Sequence, residues 1–81
     1  MRLRVRLFAL ARQLAGAEFL DVDLSDHPTI GELRRRLAED CAPLAVLSRH
    51  VLFSIDAEYA PDSAPIPTGG DVACIPPVSG G

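Results

Sequence analysis

The chain contains no lysine: all eight of its basic residues are arginines. No side-chain amine is therefore available as a Schiff-base nucleophile or as the acceptor of an isopeptide bond. Positive charge is scarce as well. Eight basic residues stand against eleven acidic ones, a net charge of -3, which excludes the concentrated cationic footprint of a nucleic-acid binder. The two cysteines, Cys41 and Cys74, lie far apart and outside any C-x-x-C spacing. Flanked mainly by small and apolar residues, they read as buried thiols rather than as a redox pair. No stretch approaches the ~20 apolar residues of a membrane span, and the opening Met1-Arg2-Leu3-Arg4 lacks the apolar run of a signal peptide. A reducing cytoplasm is the expected compartment. At 81 residues there is room for one domain and little for an enclosed active site beside its core. Function is expected on an edge, a surface patch or a terminus.

What is present is well patterned. Arg2, Arg4 and Arg6 alternate with Leu3, Val5 and Leu7, the period of a half-buried strand, and parity carries Phe8 to the arginine side. Ala9 to Ala15 reads as a short helical turn closed by Gly16. Leu20, Val22 and Leu24 alternate with Asp21 and Asp23 in a second strand, antiparallel to the first. Thr29 and Glu32 have the spacing of a reciprocal capping box and open the main helix. Ile30, Leu33 and Leu37 form its apolar stripe, and Arg34, Arg35 and Arg36 are assigned to the wet face. Pro43 is expected to end the helical region, with a further turn over Leu44 to Leu47. Val51 to Ile55 reads as a third strand, Asp56-Ala57-Glu58 as a turn and Tyr59-Ala60 as a short returning edge. The prolines from Pro61 to Pro67 indicate a loop, and Thr68-Gly69-Gly70 a tight turn into a last strand, Asp71 to Ile75. There Asp71, Ala73 and Ile75 share one face, outward if Asp71 is wet. His27 and His50 have no companion in sequence for metal or catalytic work, and Asp21, Asp23 and Asp26 are explained by a wet strand face. The order predicts an α+β fold: a mixed sheet of about five strands with one main helix across one face.

The chain ends Pro76-Pro77-Val78-Ser79-Gly80-Gly81. The diproline stops the strand and holds the exit extended, since proline fixes φ and donates no hydrogen bond. Five residues beyond it reach at most ~16–18 Å, enough to enter another protein's cleft while the body stays outside. Two final glycines give the narrowest possible polymer, and the terminal carboxylate becomes the group presented. A body over 1–76 and a flexible tail over 77–81 follow. A terminal glycine pair alone is weak support, since it arises by chance in roughly 0.5% of chains. The diproline exit and the sheet-helix order add to it.

The ending Ile75-Pro76-Pro77-Val78-Ser79-Gly80-Gly81 resembles the F-P-P-V-[ST]-G-G ending of the molybdopterin synthase small-subunit family of ubiquitin-like sulfur carriers. The opening Leu7-Phe8-Ala9, with Arg12 and Leu14, resembles that family's first strand and helix, and the resemblance spans essentially the whole chain. It implies a β-grasp fold and a role in molybdenum-cofactor biosynthesis. Gly81 would be adenylated by a ubiquitin-activating-like adenylyltransferase that uses ATP, then converted to a thiocarboxylate with sulfur from a donor protein. The large subunit of molybdopterin synthase, in a heterotetramer, would take the tail and pass the sulfur to precursor Z. Gly80 would let the tail thread, and Pro76, Pro77, Val78 and Ser79 would line the partner's channel. The family's partner-binding patch falls on Phe8, Tyr59 and Ile75. The small subunit is not catalytic alone, and no bound cofactor or metal is implied. Asp56 stands where the family commonly has asparagine, Gly70 where it has an acid, and Ile75 where phenylalanine is frequent. Alternatives are a carrier for thiazole, cysteine or tRNA thiolation, a ubiquitin-like protein modifier, or an interaction module with incidental glycines.

Overall fold

Strict alternation in the first strand sets the architecture. In a computed structural model, which describes residues 1–77, Arg2–Leu7 forms β1 with its leucines and valine buried and its arginines exposed. The chain continues through α1 (Ala9–Ala15), β2 (Phe19–Asp23), α2 (Ile30–Asp40), α3 (Ala42–Ala45), β3 (Leu52–Ile55), β4 (Glu58–Ala60) and β5 (Val72–Ile75). The strands form one mixed sheet in the order β2-β1-β5-β3-β4. β1 runs antiparallel to β2 and parallel to β5, and β3 runs antiparallel to both β5 and β4. This is the ubiquitin-like β-grasp arrangement: two hairpins joined by a helix, with the last strand inserted between them.

One sheet face carries the core. Leu3, Val5 and Leu7, Val22, Phe53, Val72 and Cys74 meet Ile30, Leu33 and Leu37 from α2 and Leu44 from α3, all nearly inaccessible. A sheet with one polar side requires this cover to bury its apolar side. Gly16 closes α1 in the left-handed region at φ 71°, with its N–H on the Arg12 carbonyl, a conformation that glycine enters without penalty.

Three local expectations change. Thr29 caps α2, its Oγ1 accepting from the Glu32 N–H at 3.3 Å, but the box is not reciprocal. The Glu32 carboxylate instead accepts from the Ser25 N–H (2.7 Å) and hydroxyl (2.6 Å), closing the loop after β2 and holding its own pKa below the usual carboxylate range. Pro43 does not end the main helix. Asp40 does, and Pro43 falls in the first turn of α3, where a missing N–H costs nothing.

The third change concerns Arg34, which is not a wet-face residue. Its Nη1 donates to the Ser48 and Val51 carbonyls, both at 2.7 Å, and its Nε and Nη2 donate to Asp62 Oδ1 at 3.1 and 2.9 Å. The guanidinium lies 5.1 Å from the centre of the Phe53 ring. A planar fork is needed to serve acceptors on three segments at once. Arg34→Met should therefore destabilise the fold by about 2 kcal/mol, by exposing the lost partners of two carbonyls. Arg34→Lys should recover less than half of that in urea unfolding; full recovery would mean that charge alone matters.

Candidate functional site

β5 is the central strand, held on both sides, and its C-terminal end leads to the tail. Its neighbours stop level with it. On one side Leu7 pairs with Cys74, and the Phe8 N–H makes one further bond to the Cys74 carbonyl at 3.2 Å. Ala9 then turns away with φ 50° and starts α1. On the other side, β3 begins only at Leu52, opposite Ile75. Past Ile75, among the described residues, no strand pairs with the chain. Two prolines remove the donors that could seek one.

Pro76 is buried and Pro77 is exposed. Pro76 thus packs against the body where the tail leaves it. Val78, Ser79, Gly80 and Gly81, the heart of the expected site, lie outside the described residues.

The face opposite the helices is open, and the register defines its contents. One row runs Phe19, Arg6, Ala73, Ser54, Tyr59 across all five strands. Phe8, Tyr59 and Ile75 border a single shallow depression of about 280 Å³ with Arg6, Ala73 and Asp71. Phe8 is 42% and Tyr59 69% exposed, while Ile75 is half-buried. The three residues of the sequence-derived patch are therefore brought together beside the tail exit. Large apolar groups held in the open suit docking.

Leu52 was missed. It is 51% exposed and pairs with Ile75 on the same face. The signal was available, because Phe53 and Ile55 pointing inward put Leu52 and Ser54 outward. Phe19, also exposed, follows from the parity of Asp21 and Asp23 in the same way.

The far half of the open face is ionic. Arg4 meets Asp21 at 3.0 Å and Arg2 meets Asp23 at 3.3 Å. The hydrogen bond from Arg4 holds the Asp21 carboxyl below its ordinary range, and the same bond raises the Arg4 pKa. Cross-strand pairing accounts for these acids. Among the described residues no cluster of His, Cys, Asp or Glu is arranged to hold a metal, and no helix is long and apolar enough to cross a membrane.

Two departures from the family pattern have local reasons. Asp56 and Ala57 both adopt positive φ, 51° and 71°, as the tight turn between β3 and β4 demands. Asp56 Oδ1 accepts from the Asp71 N–H at 2.9 Å, a role that asparagine's carbonyl oxygen could fill equally. At Gly70 a Cβ would come within 3.1 Å of the Pro67 ring, so the missing acid leaves space that the proline occupies.

Sheet order and crossing helix define a ubiquitin-like β-grasp protein. Within that class the chain belongs to the ThiS family, whose pattern matches residues 5–81. It is similar to the molybdopterin synthase sulfur carrier subunit of Escherichia coli (strain K12), 32% identical over 81 residues, with 98% of this chain and 99% of that protein covered. The molybdopterin synthase sulfur carrier subunit of Arabidopsis thaliana is 31% identical over 81 residues, covering all of this chain and 84% of the relative. Among solved structures, SAMP1 from Haloferax volcanii has a TM-score of 0.83 at 26% identity, with both chains fully covered.

Among the described residues Cys74 is the cysteine beside the exit. Cys74 is buried on the core side of β5, and that burial pushes its thiol up to about 11. A thiol, unlike a thiolate, is a poor sulfur nucleophile, so Cys74 is unsuited to relay sulfur to the tail. Iodoacetamide near pH 8 should leave Cys74 unlabelled in the folded protein and label it in urea. Rapid labelling without denaturant would return Cys74 to the candidate groups.

Proposed function

We propose that the chain is a sulfur carrier for molybdopterin synthesis and that its reagent is the carboxyl group of Gly81. The observation that carries this reading is full-length similarity to two molybdopterin synthase sulfur carrier subunits in a chain that ends Pro76-Pro77-Val78-Ser79-Gly80-Gly81. A free carboxylate resists nucleophiles. Attack on the α-phosphorus of ATP, in a separate adenylyltransferase, releases pyrophosphate and leaves an acyl-adenylate on Gly81. A persulfide on a donor protein then displaces AMP, and a thiol cleaves the resulting S–S bond. The carrier keeps a thiocarboxylate and the donor leaves as a disulfide.

The partner that receives the tail is the large subunit of molybdopterin synthase, where the thiocarboxylate sulfur bonds to precursor Z and water then cleaves the acyl C–S bond, leaving the sulfur on the precursor and restoring the carboxylate of Gly81. Gly80 and Gly81 thread, with Ser79, Val78 and Pro77 following. Phe8, Ile75 and Tyr59 dock the body. No step needs a side chain or bound cofactor from this protein, and the cytoplasm is where its partners would be found.

A second reading, a protein modifier, is favoured by the likeness to Haloferax volcanii SAMP1, the small archaeal modifier protein 1. Mass spectrometry after co-expression with an adenylyltransferase separates the two. Oxygen-to-sulfur exchange at the terminus supports the carrier, and conjugates on other proteins support the modifier.

Deleting Gly81, or adding one residue beyond it, should abolish sulfur transfer in an assay with the large subunit and precursor Z; retained activity would sink the reading. Phe8→Asp should weaken binding to the large subunit by tenfold or more, as losing a buried aromatic anchor does, while leaving adenylation within a fewfold. Unchanged affinity in calorimetry would remove Phe8 from the docking surface.

A further inference from the structure

The docking face is not wholly apolar, and its one cation is poorly satisfied. Arg6 lines the same depression as Phe8, Tyr59 and Ile75 and sits mid-row between Phe19 and Ala73. Its guanidinium carbon lies over the Phe19 ring, 5.8 Å from the centroid, a contact that meets none of its N–H donors. Its nearest acid is Asp71, with Nη2 3.7 Å from Oδ1, too long for a hydrogen bond. Arg4 on the same strand donates to Asp21 at 3.0 Å, and Arg34 donates to three partners. Among the described residues Arg6 donates to none, so its N–H groups face water.

A partner that covers Phe8, Ile75 and Tyr59 also covers Arg6 and removes that water. A buried guanidinium with unmet donors opposes association, so a cognate partner must bring an acceptor to this point. A carboxylate fits best, since two parallel N–H donors match its two oxygens.

We propose that Arg6 is a specificity determinant, which selects a partner surface carrying a carboxylate at the centre of the apolar contact with Phe8, Ile75 and Tyr59. The inference rests on the reading above, with the large subunit as that partner. Asp71 then acts against the contact: its negative charge faces the arriving carboxylate and draws the guanidinium aside. This gives opposite signs for two neighbouring variants. Were Arg6 merely half of a structural pair with Asp71, both variants would weaken binding alike.

The test is calorimetric titration of the full chain with the large subunit at low and high salt. Arg6→Met, which keeps the apolar stem, should lower affinity tenfold or more and flatten its salt dependence. Arg6→Lys should fall between, and Asp71→Asn should tighten binding severalfold. Thermal unfolding of each variant separates loss of docking from loss of fold. Wild-type binding with Arg6→Met equally tight, or Asp71→Asn weakened like Arg6→Met, overturns this inference alone. A wild-type chain that does not bind the large subunit overturns the functional reading as well.

Discussion

The constraint on which the rest depends is the placement of β5 between β1 and β3. A strand paired on both sides is the most firmly held element a small sheet can offer, and here its continuation is the tail. Both neighbours end level with Ile75. The Phe8 N–H to Cys74 carbonyl bond is the last on one side, and the Leu52–Ile75 pair is the last on the other. The chain thus passes within two residues from full pairing to none. Rigid support up to Pro76 fixes where the tail starts, and the exposed Pro77 fixes how it leaves, because proline admits few directions.

The same pairing divides labour between the sheet faces. Residues of β5 that point inward, Val72 and Cys74, join the core under α2. The outward ones, Ala73 and Ile75, join the open face. Ala73 is small, and with the buried Ser54 it forms a low floor from which Phe8 and Tyr59 rise. Phe8 owes its position to the backbone: it continues β1 by one hydrogen bond, and Ala9, at φ 50°, turns the chain off the sheet immediately afterwards. A non-glycine residue in that region carries a modest strain. The surrounding helix start and sheet end hold it there.

Much of this was legible because period-two alternation depends on local sequence alone. The burial of Leu3, Val5 and Leu7, the outward side of Phe8, the Gly16 stop and the Thr29 cap all follow from neighbours within a few residues. What was not legible depends on distant partners. Arg34 has the same local surroundings as Arg35 and Arg36, yet Ser48, Val51 and Asp62, remote in sequence, draw it inward. Glu32 has the spacing to bond back to Thr29, but Ser25 offers two donors where Thr29 offers one. Pro76 and Pro77 look alike in sequence; only the packing of the body shows that one is anchor and the other exit. The tail residues carrying the specific motif were legible by resemblance, and lie outside the described residues.

The body's cysteine near the exit is turned into the core, where burial keeps it protonated, and Asp21 and Asp23 on its open face pair with Arg4 and Arg2. On the reading proposed above the reagent is the terminus, and the remaining variable is which partner may approach it. Apolar contact at Phe8, Tyr59 and Ile75 can supply affinity but discriminates poorly, since many surfaces offer a hydrophobic patch. A cation set among those residues, with donors that only a matched acceptor can satisfy, penalises the wrong surface more than it rewards the right one. If the carrier is handed among several proteins, as proposed above, such a penalty separates productive encounters from merely adhesive ones.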